Sequence, residues 1–271
     1  MMELFFRKLG SGDPLVILHG LYGSSDNWYS IGRSLAHNYK VYLVDQRNHG
    51  NSPHSSEHNY RAMCNDLTEF FDRHNLTQAI ILGHSMGGKT ALAFGMKYPE
   101  EVKKMIVVDI SPFGYDQSHS QEATAHHRII QALMTIQPET LQSRAEADMI
   151  LKKSIAPSSI RQFLLKNLKH DGKGRFYWSM NIPAIAANMA GIFDGVVPHD
   201  ACNTNNVPHF PLLFIKGEYS GYIKNRDEAA IRKCFPWSQI ITVTGSGHWL
   251  HAEQPRTFLN IVADFLKSIQ Q

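Results

Sequence analysis

A serine set among glycines, a histidine set among glycines and an acid closing an apolar run are the residues here whose types and spacing could do chemistry. The serine is Ser85 in Gly83-His84-Ser85-Met86-Gly87, between the apolar run 79–82 and a small-residue helix. In the pattern G-x-S-x-G the chain turns from strand to helix so sharply that the serine backbone is strained and its hydroxyl is presented outward. Side chains at the flanking positions would collide, hence the glycines. The helix start behind Ser85 offers free backbone N–H groups and a positive dipole end to a developing oxyanion, with Met86 N–H as one donor.

A serine hydroxyl is a weak nucleophile until a neutral imidazole takes its proton, and that imidazole needs a carboxylate to fix its tautomer and stabilise its cation. The late loop Gly245-Ser246-Gly247-His248-Trp249 supplies His248 as the base, its glycines permitting close approach. His84, inside the turn, and His251, heading into the final helix, read as structural. His126 and His127 point about 100° apart on a helix and do not make a metal pair. The usual chain order of serine, acid, histidine leaves two acids that close a core strand, Asp109 and Glu218. In the turn Gly217-Glu218-Tyr219-Ser220 a serine stands where a G-x-x-D turn carries the acid, so Asp109 is preferred and Glu218 is the alternative. Ser220 is then either a fourth member bridging acid and imidazole or an ordinary turn serine. A second oxyanion donor is the backbone N–H of Leu21, in His19-Gly20-Leu21.

The same letters make a rival claim. Gly83 to Thr90 also satisfies G-x-x-x-x-G-K-[ST], a phosphate-cradling loop, and the strand ending in Asp109 could pose as its magnesium-binding partner. Two buried sheet strands before the turn (15–18 and 41–45), an oxyanion-like His-Gly-Leu and a Gly-His-Trp with no role in a phosphate loop oppose that reading.

These residues must be positioned by a scaffold, and the pattern is one of buried strands alternating with helices. Strands are expected at 4–9, 15–18, 41–45, 79–84, 102–109, 212–216 and 240–243, with helices at 25–36, 60–75, 91–97, 227–234 and 255–269. Such alternation implies a largely parallel sheet with right-handed crossovers. From 111 to about 206 no buried strand is read, only amphipathic helices at 121–136, 143–155 (opened by a Ser143/Glu146 capping box), 158–168 and 183–192. The expected organisation is a core of 1–110 and 207–271 with a helical cap, 111–206, inserted after Asp109. The polar loop from Asp45 to Pro53 lies near the crevice; Asp45 is expected to pair with Arg47 and brace the site.

With 271 residues, 43% hydrophobic and 19% charged, the chain is globular and long enough for a sizeable core. Twenty-seven basic and 24 acidic residues leave +3, too little to argue for nucleic acid or a membrane as partner. Cys64, Cys202 and Cys234 are an odd, widely spaced set, read as reduced thiols with no disulfide or zinc site. No signal sequence or membrane-spanning run is present, and a cytoplasmic protein is expected.

His19-Gly20-Leu21-Tyr22-Gly23-Ser24, Asp45-x-Arg47-Asn48-His49-Gly50-x-Ser52-Pro53, Gly83-His84-Ser85-Met86-Gly87-Gly88-Lys89, Val108-Asp109-Ile110-Ser111-Pro112 and Gly247-His248-Trp249-x-His251-Ala252-Glu253 together resemble the YbfF-type esterases of the α/β-hydrolase superfamily. The resemblance covers the sheet-forming parts and is loose through the cap. It implies an α/β-hydrolase fold with an eight-stranded sheet and hydrolysis of carboxylic esters or acyl thioesters without a cofactor or metal. It also implies an acid on the strand after the serine turn and a serine in the later turn, which map onto Asp109 and Ser220. Mitochondrial relatives of this family carry a targeting sequence; with the first strand expected at 4–9, none is expected here.

Acyl specificity is expected from apolar cap residues, with Phe113, Tyr115, Phe176, Trp178 and Phe193 as candidates, and Tyr222 and Trp249 from the core. Lys152, Lys153, Arg161, Lys166, Lys169, Lys173 and Arg175 stand against one acid, Asp171; a solvated face is preferred over a phosphate-binding rim for acyl-coenzyme A. A carbon–carbon bond hydrolase or lyase would use the same triad, and a non-catalytic binding protein would not need it.

Overall fold

The computed structural model describes residues 2–115, 120–197, 202, 207 and 210–268. In chain order the elements are β1 (Phe6–Leu9), β2 (Asp13–Leu18), α1 (Tyr29–Leu35), β3 (Tyr39–Val44), α2 (Tyr60–His74), β4 (Ala79–His84), α3 (Met86–Lys97) and β5 (Val102–Val108). Then come α4 (Gln121–Met134), α5 (Arg144–Lys152), α6 (Ser158–Leu165), β6 (Leu168–His170), β7 (Phe176–Trp178), α7 (Ile182–Ala187) and α8 (Met189–Phe193). The last group is β8 (Leu212–Gly217), α9 (Asn225–Cys234), β9 (Gln239–Val243), α10 (Leu250–Glu253) and α11 (Pro255–Lys267).

Seven strands form the main sheet in the order β1-β3-β2-β4-β5-β8-β9. Only β1 runs antiparallel to its neighbour. The near-continuous apolar runs follow from burial on both faces. Val16, Leu18, Val44, Ile81, Val107 and Phe214 face α2, α3 and α9, while Leu15, Ile17, Leu43, Ile80, Leu82, Ile106 and Ile215 face α1 and α11. β4 sits centrally between β2 and β5, with Leu18 opposite Gly83 and His84 opposite Val108. The serine turn therefore starts from the middle of the sheet.

The eight-stranded sheet implied by the resemblance is corrected to seven among the described residues, and these are the seven runs read from the sequence. A second correction lies between β5 and β8, where β6 and β7 pair as a short antiparallel hairpin, Leu168 opposite Trp178. Three-residue strands around the Asp171–Gly174 turn are too short to leave an alternation pattern. Helix 183–192 is broken into α7 and α8 at Asn188. At α5, Ser143 Oγ accepts from Glu146 N as expected, but the Glu146 carboxylate turns to Gln142 N instead of closing the box.

Arg47 does not pair with Asp45. Its guanidinium forks onto Asp66 of α2 at 2.6 and 2.8 Å, both side chains buried. Asp45 instead accepts from Ser25 N (2.6 Å) and Asn51 N (2.9 Å), tying the loops after β2 and β3 together. A Cβ on Gly50 would come within 2.1 Å of its carboxylate.

The reduced-thiol expectation is also corrected. Cys202 and Cys234 form a disulfide, leaving Cys64 buried and free. Thirty-two residues separate the pair, and only the return of the chain beside the end of α9 brings them together. Thiol titration of denatured, unreduced chain is expected to find one thiol per chain, and three after reduction; three in both would refute the bond.

Five histidines are fully inside. Burial pushes His19 down to about 4, His49 and His251 down to about 3, and His58 and His84 well below the ordinary imidazole range. Below pH ~6.5 the unfolded chain takes up protons that the folded chain refuses, so stability is complete above that pH and is lost as the pH falls towards the folded values. The loss is at most about 1.4 kcal/mol per ring per pH unit. Urea midpoints are expected to be flat from pH 7 to 8 and to drop steeply below pH 6; a midpoint unchanged at pH 5 would contradict neutral burial.

Candidate active site

Every predicted chemical group sits at the carboxyl ends of β2, β4, β5, β8 and β9. Ser85 lies between β4 and α3 with φ 52° and ψ −120°, a left-handed strain that only a surrounding scaffold maintains. Its N–H donates to Val108 O at 2.9 Å. A Cβ on Gly83 would stand 2.2 Å from Gly87 O, and one on Gly87 2.4 Å from Leu18 O. The glycines are thus required by backbone passing against backbone.

Asp109, also at φ 52°, is wholly buried where β5 ends. Its Oδ1 accepts from Gly217 N at 2.9 Å; its Oδ2 accepts from Ser220 Oγ and lies 2.7 Å from His248 Nδ1. Glu218, the alternative acid, turns away and accepts from Gly245 N at 2.7 Å. The loop carrying His248 is pinned by Glu253, which accepts from Gly247 N (2.6 Å) and Trp249 N (3.3 Å). His84 donates from Nε2 to His248 O at 2.9 Å, so the residue inside the serine turn anchors the histidine loop. His251 stacks on Trp28 at 4.1 Å.

With Nδ1 on Asp109, the His248 ring turns its Nε2 to the opposite side, and Ser85 and His248 line one cavity. No direct hydrogen bond joins them among the described residues; such bonds commonly tighten only in the Michaelis complex. Leu21 lines the same cavity, and Met86 opens α3, its N–H among those with no partner inside the helix. The Leu21 turn is held by two neutral histidines. His19 donates from Nδ1 to Gly20 O (2.8 Å) and accepts from Gln46 N (3.0 Å); His49 donates to Arg47 O (2.9 Å) and accepts from Tyr22 N (3.2 Å).

The cavity, about 280 Å³, is walled by Ile160, Phe163 and Leu164 of α6, Ala125, His126 and Ile129 of α4, and Tyr22, Tyr222 and Trp249 from the sheet side. Gln121 and Glu122 of α4 add polar groups beyond Ser85 and the histidines. Of the predicted substrate aromatics, Tyr222 and Trp249 line it. Phe113, Tyr115 and Trp178 do not: Phe113 is in the core, Tyr115 Oη donates to Tyr222 O (3.0 Å), and Trp178 packs within the insertion. Phe176 and Phe193 also pack there. His126, which sequence reasoning set aside, lies between Tyr222 Oη (2.7 Å) and Tyr22 Oη (3.3 Å).

Lys89 decides the phosphate-loop question. Its ammonium is fully buried and donates to Asp194 O at 2.5 Å and Phe193 O at 3.4 Å, away from the Ser85 turn. In the basic stretch, Arg161, Lys169 and Arg175 are paired with Asp148, Asp26 and Asp171. Among the described residues no group of three or more His, Cys, Asp or Glu could hold a metal ion, and no helix is long and apolar enough to cross a membrane.

Comparison with known proteins gives the family to which this fold belongs. The family model described as alpha/beta hydrolase fold matches residues 13–255. The sn-1-specific diacylglycerol lipase ABHD11 of Danio rerio is 36% identical over 269 residues, covering 97% of this chain and 81% of that protein. Esterase YbfF of Escherichia coli (strain K12) is 31% identical over 258 residues, 94% of each chain. The solved structure of a marine microorganism esterase superposes with a TM-score of 0.93 at 45% identity, covering 98% of this chain and 100% of the other. A sheet entered by Ser85 at its centre, a matching family model over most of the length and relatives at these identities show that the chain belongs to the α/β-hydrolase family, among the YbfF-type esterases.

Proposed function

We propose that this protein hydrolyses carboxylic esters through an acyl-Ser85 intermediate. The observation that carries the reading is the Asp109–His248 contact of 2.7 Å in a loop that shares one apolar cavity with the strained Ser85. Ser85 Oγ attacks the ester carbonyl carbon while His248 Nε2 takes the hydroxyl proton and Asp109 holds Nδ1–H, stabilising the imidazolium. The N–H groups of Leu21 and Met86 receive the oxyanion, each donor supplying about 3 to 4 kcal/mol. The tetrahedral adduct collapses as His248 protonates the departing alcohol. Water then enters, His248 deprotonates it, and the acid leaves with Ser85 restored. Ser220 steadies Asp109 from the side opposite Gly217.

In this reading residues 111–206 are a cap over the 1–110 and 207–271 core, supplying α4 and α6 to the acyl wall. The cavity holds about the volume of nine water molecules, which suits a short to medium acyl chain. Thioesters follow the same chemistry; the ion pairs within the basic stretch leave less free charge for an acyl-coenzyme A phosphate rim. A carbon–carbon bond hydrolase would share the triad, and only substrate profiling separates it. The cytoplasmic placement in this reading stands against the Cys202–Cys234 bond, of a kind rare in that compartment.

Ser85→Ala and His248→Ala are each expected to lower turnover by on the order of 10⁶, and Asp109→Asn by about 10⁴ with the fold intact, judged from serine proteases. Glu218→Gln is expected to stay near wild type; the reverse ranking of the two acids would reassign the triad. Across p-nitrophenyl esters, kcat/KM is expected to peak at short to medium chains and to move to longer ones in Phe163→Ala. A peak unmoved by Phe163→Ala would remove α6 from the acyl wall.

A further inference from the structure

We propose that Tyr222 and His126 are positioning residues for this reaction: the Tyr222 ring steadies the face of the His248 imidazole, and His126, on the insertion, holds the Tyr222 hydroxyl. The inference rests on the acyl-serine reading above. Asp109 fixes His248 at a single atom, Nδ1, and a ring held at one atom can still swing about that bond. Tyr222 closes this freedom by stacking at 3.9 Å between centroids and 24° between planes, with His84 at 4.7 Å nearby.

Tyr222 is itself fixed on all sides. Its N–H donates to Ser220 Oγ at 3.3 Å, and its carbonyl accepts from Ser111 N (3.2 Å) and Tyr115 Oη (3.0 Å). Its hydroxyl lies 2.7 Å from His126 Nε2, and the other ring nitrogen of His126 lies 3.3 Å from Tyr22 Oη. A neutral imidazole accepts from one phenol and donates to the other, so one side chain of α4 bonds Tyr22, next to the oxyanion turn, and Tyr222, against the base. A Cβ on Gly221 would fall 1.9 Å from Glu122 Oε1, which shows how closely this loop lies on α4.

The stack also bears on charge. When His248 takes the serine proton it becomes a cation over an aromatic face, an attraction Leu cannot reproduce. The titratable groups around it are Asp109 at the end of β5, His84 in the Ser85 turn, His251 of α10, His126 of α4 and Tyr222; Glu122 lies behind Tyr222. Burial keeps the three histidines and the phenol neutral, so the Asp109 carboxylate and the Tyr222 face are the groups that meet the imidazolium formed in the reaction.

The test is kcat/KM for a short p-nitrophenyl ester from pH 5 to 9 in Tyr222→Leu, Tyr222→Phe, His126→Phe and the double Tyr222→Phe/His126→Phe. Tyr222→Leu is expected to move the acid limb to lower pH by about half a unit or more. Tyr222→Phe keeps the ring and is expected to keep the limb, losing about 2- to 10-fold in rate through the hydroxyl bond. His126→Phe should match it, and the double variant should be no slower than either single one. An acid limb unmoved in a folded Tyr222→Leu, or single losses that multiply in the double variant, would overturn the proposal. Ser85→Ala in the same panel separates the two readings: if it is inactive, an unmoved limb sinks only the brace, and if it is active, the acyl-serine reading falls and the brace with it.

Discussion

The positive φ at Ser85 is the constraint on which the rest of this structure depends. An L residue in that conformation is costly, and here it is maintained because β4 runs in the middle of the sheet and its continuation has no room to do otherwise. Gly87 passes against the carbonyls of Leu18 and His19, and Gly83 against the carbonyl of Gly87. Ser85 N is tied to Val108 O, the last residue of the neighbouring strand. Three strands are thus fixed to one another at their carboxyl ends before any side chain acts. Asp109, the residue after Val108, inherits its place from the same contact.

The second requirement is that the buried histidines near His248 and the Leu21 turn stay uncharged. A protonated imidazole has no acceptor nitrogen, and His19 and His49 each use one nitrogen to accept from a backbone N–H beside the Leu21 turn. Burial enforces this by making the cation expensive. The same burial that builds the oxyanion turn therefore ties fold stability to pH. His84 links the two halves directly, since it belongs to the Ser85 turn and donates to the carbonyl of His248.

What was legible in the sequence follows from this. Gly-x-Ser-x-Gly and Gly-x-Gly-His are written by backbone proximity, which leaves glycines at fixed spacings, so Ser85 and His248 are found by pattern. The preference for Asp109 over Glu218 needed the serine at 220; Asp109 Oδ2 lies 2.7 Å from His248 Nδ1, while Glu218 accepts from Gly245 N. The cavity wall was less legible. Phe113 and Tyr115 lie in the loop after β5 and Trp178 ends the short strand β7, so no helical or strand periodicity in the sequence says which way their rings face. His126 carries no local signature because its role is made by Tyr22 and Tyr222, roughly a hundred residues away on either side. The Cys202–Cys234 bond was missed for the same reason: sequence distance hides spatial contact.

Lys89 ties the helix behind Ser85 to the end of α8. A lysine in the helix behind a glycine-rich turn would, in a phosphate loop, reach forward to a ligand. Here it points sideways, over the rings of Tyr115 (4.8 Å) and Tyr60 (5.6 Å), to the carbonyls of Phe193 and Asp194 at the end of α8. Those carbonyls carry the negative end of the helix dipole and have no partners within the helix, which is what a buried cation requires. Burial lowers its ammonium to about 7, and the charge of Asp194 offsets only part of that. Since α3 begins at the residue after Ser85, this contact seats the end of α8 on the helix that starts from the serine turn. With His126 reaching Tyr22 and Tyr222 as well, α4 and α8 are tied to the loops around Ser85 and His248 by buried polar contacts.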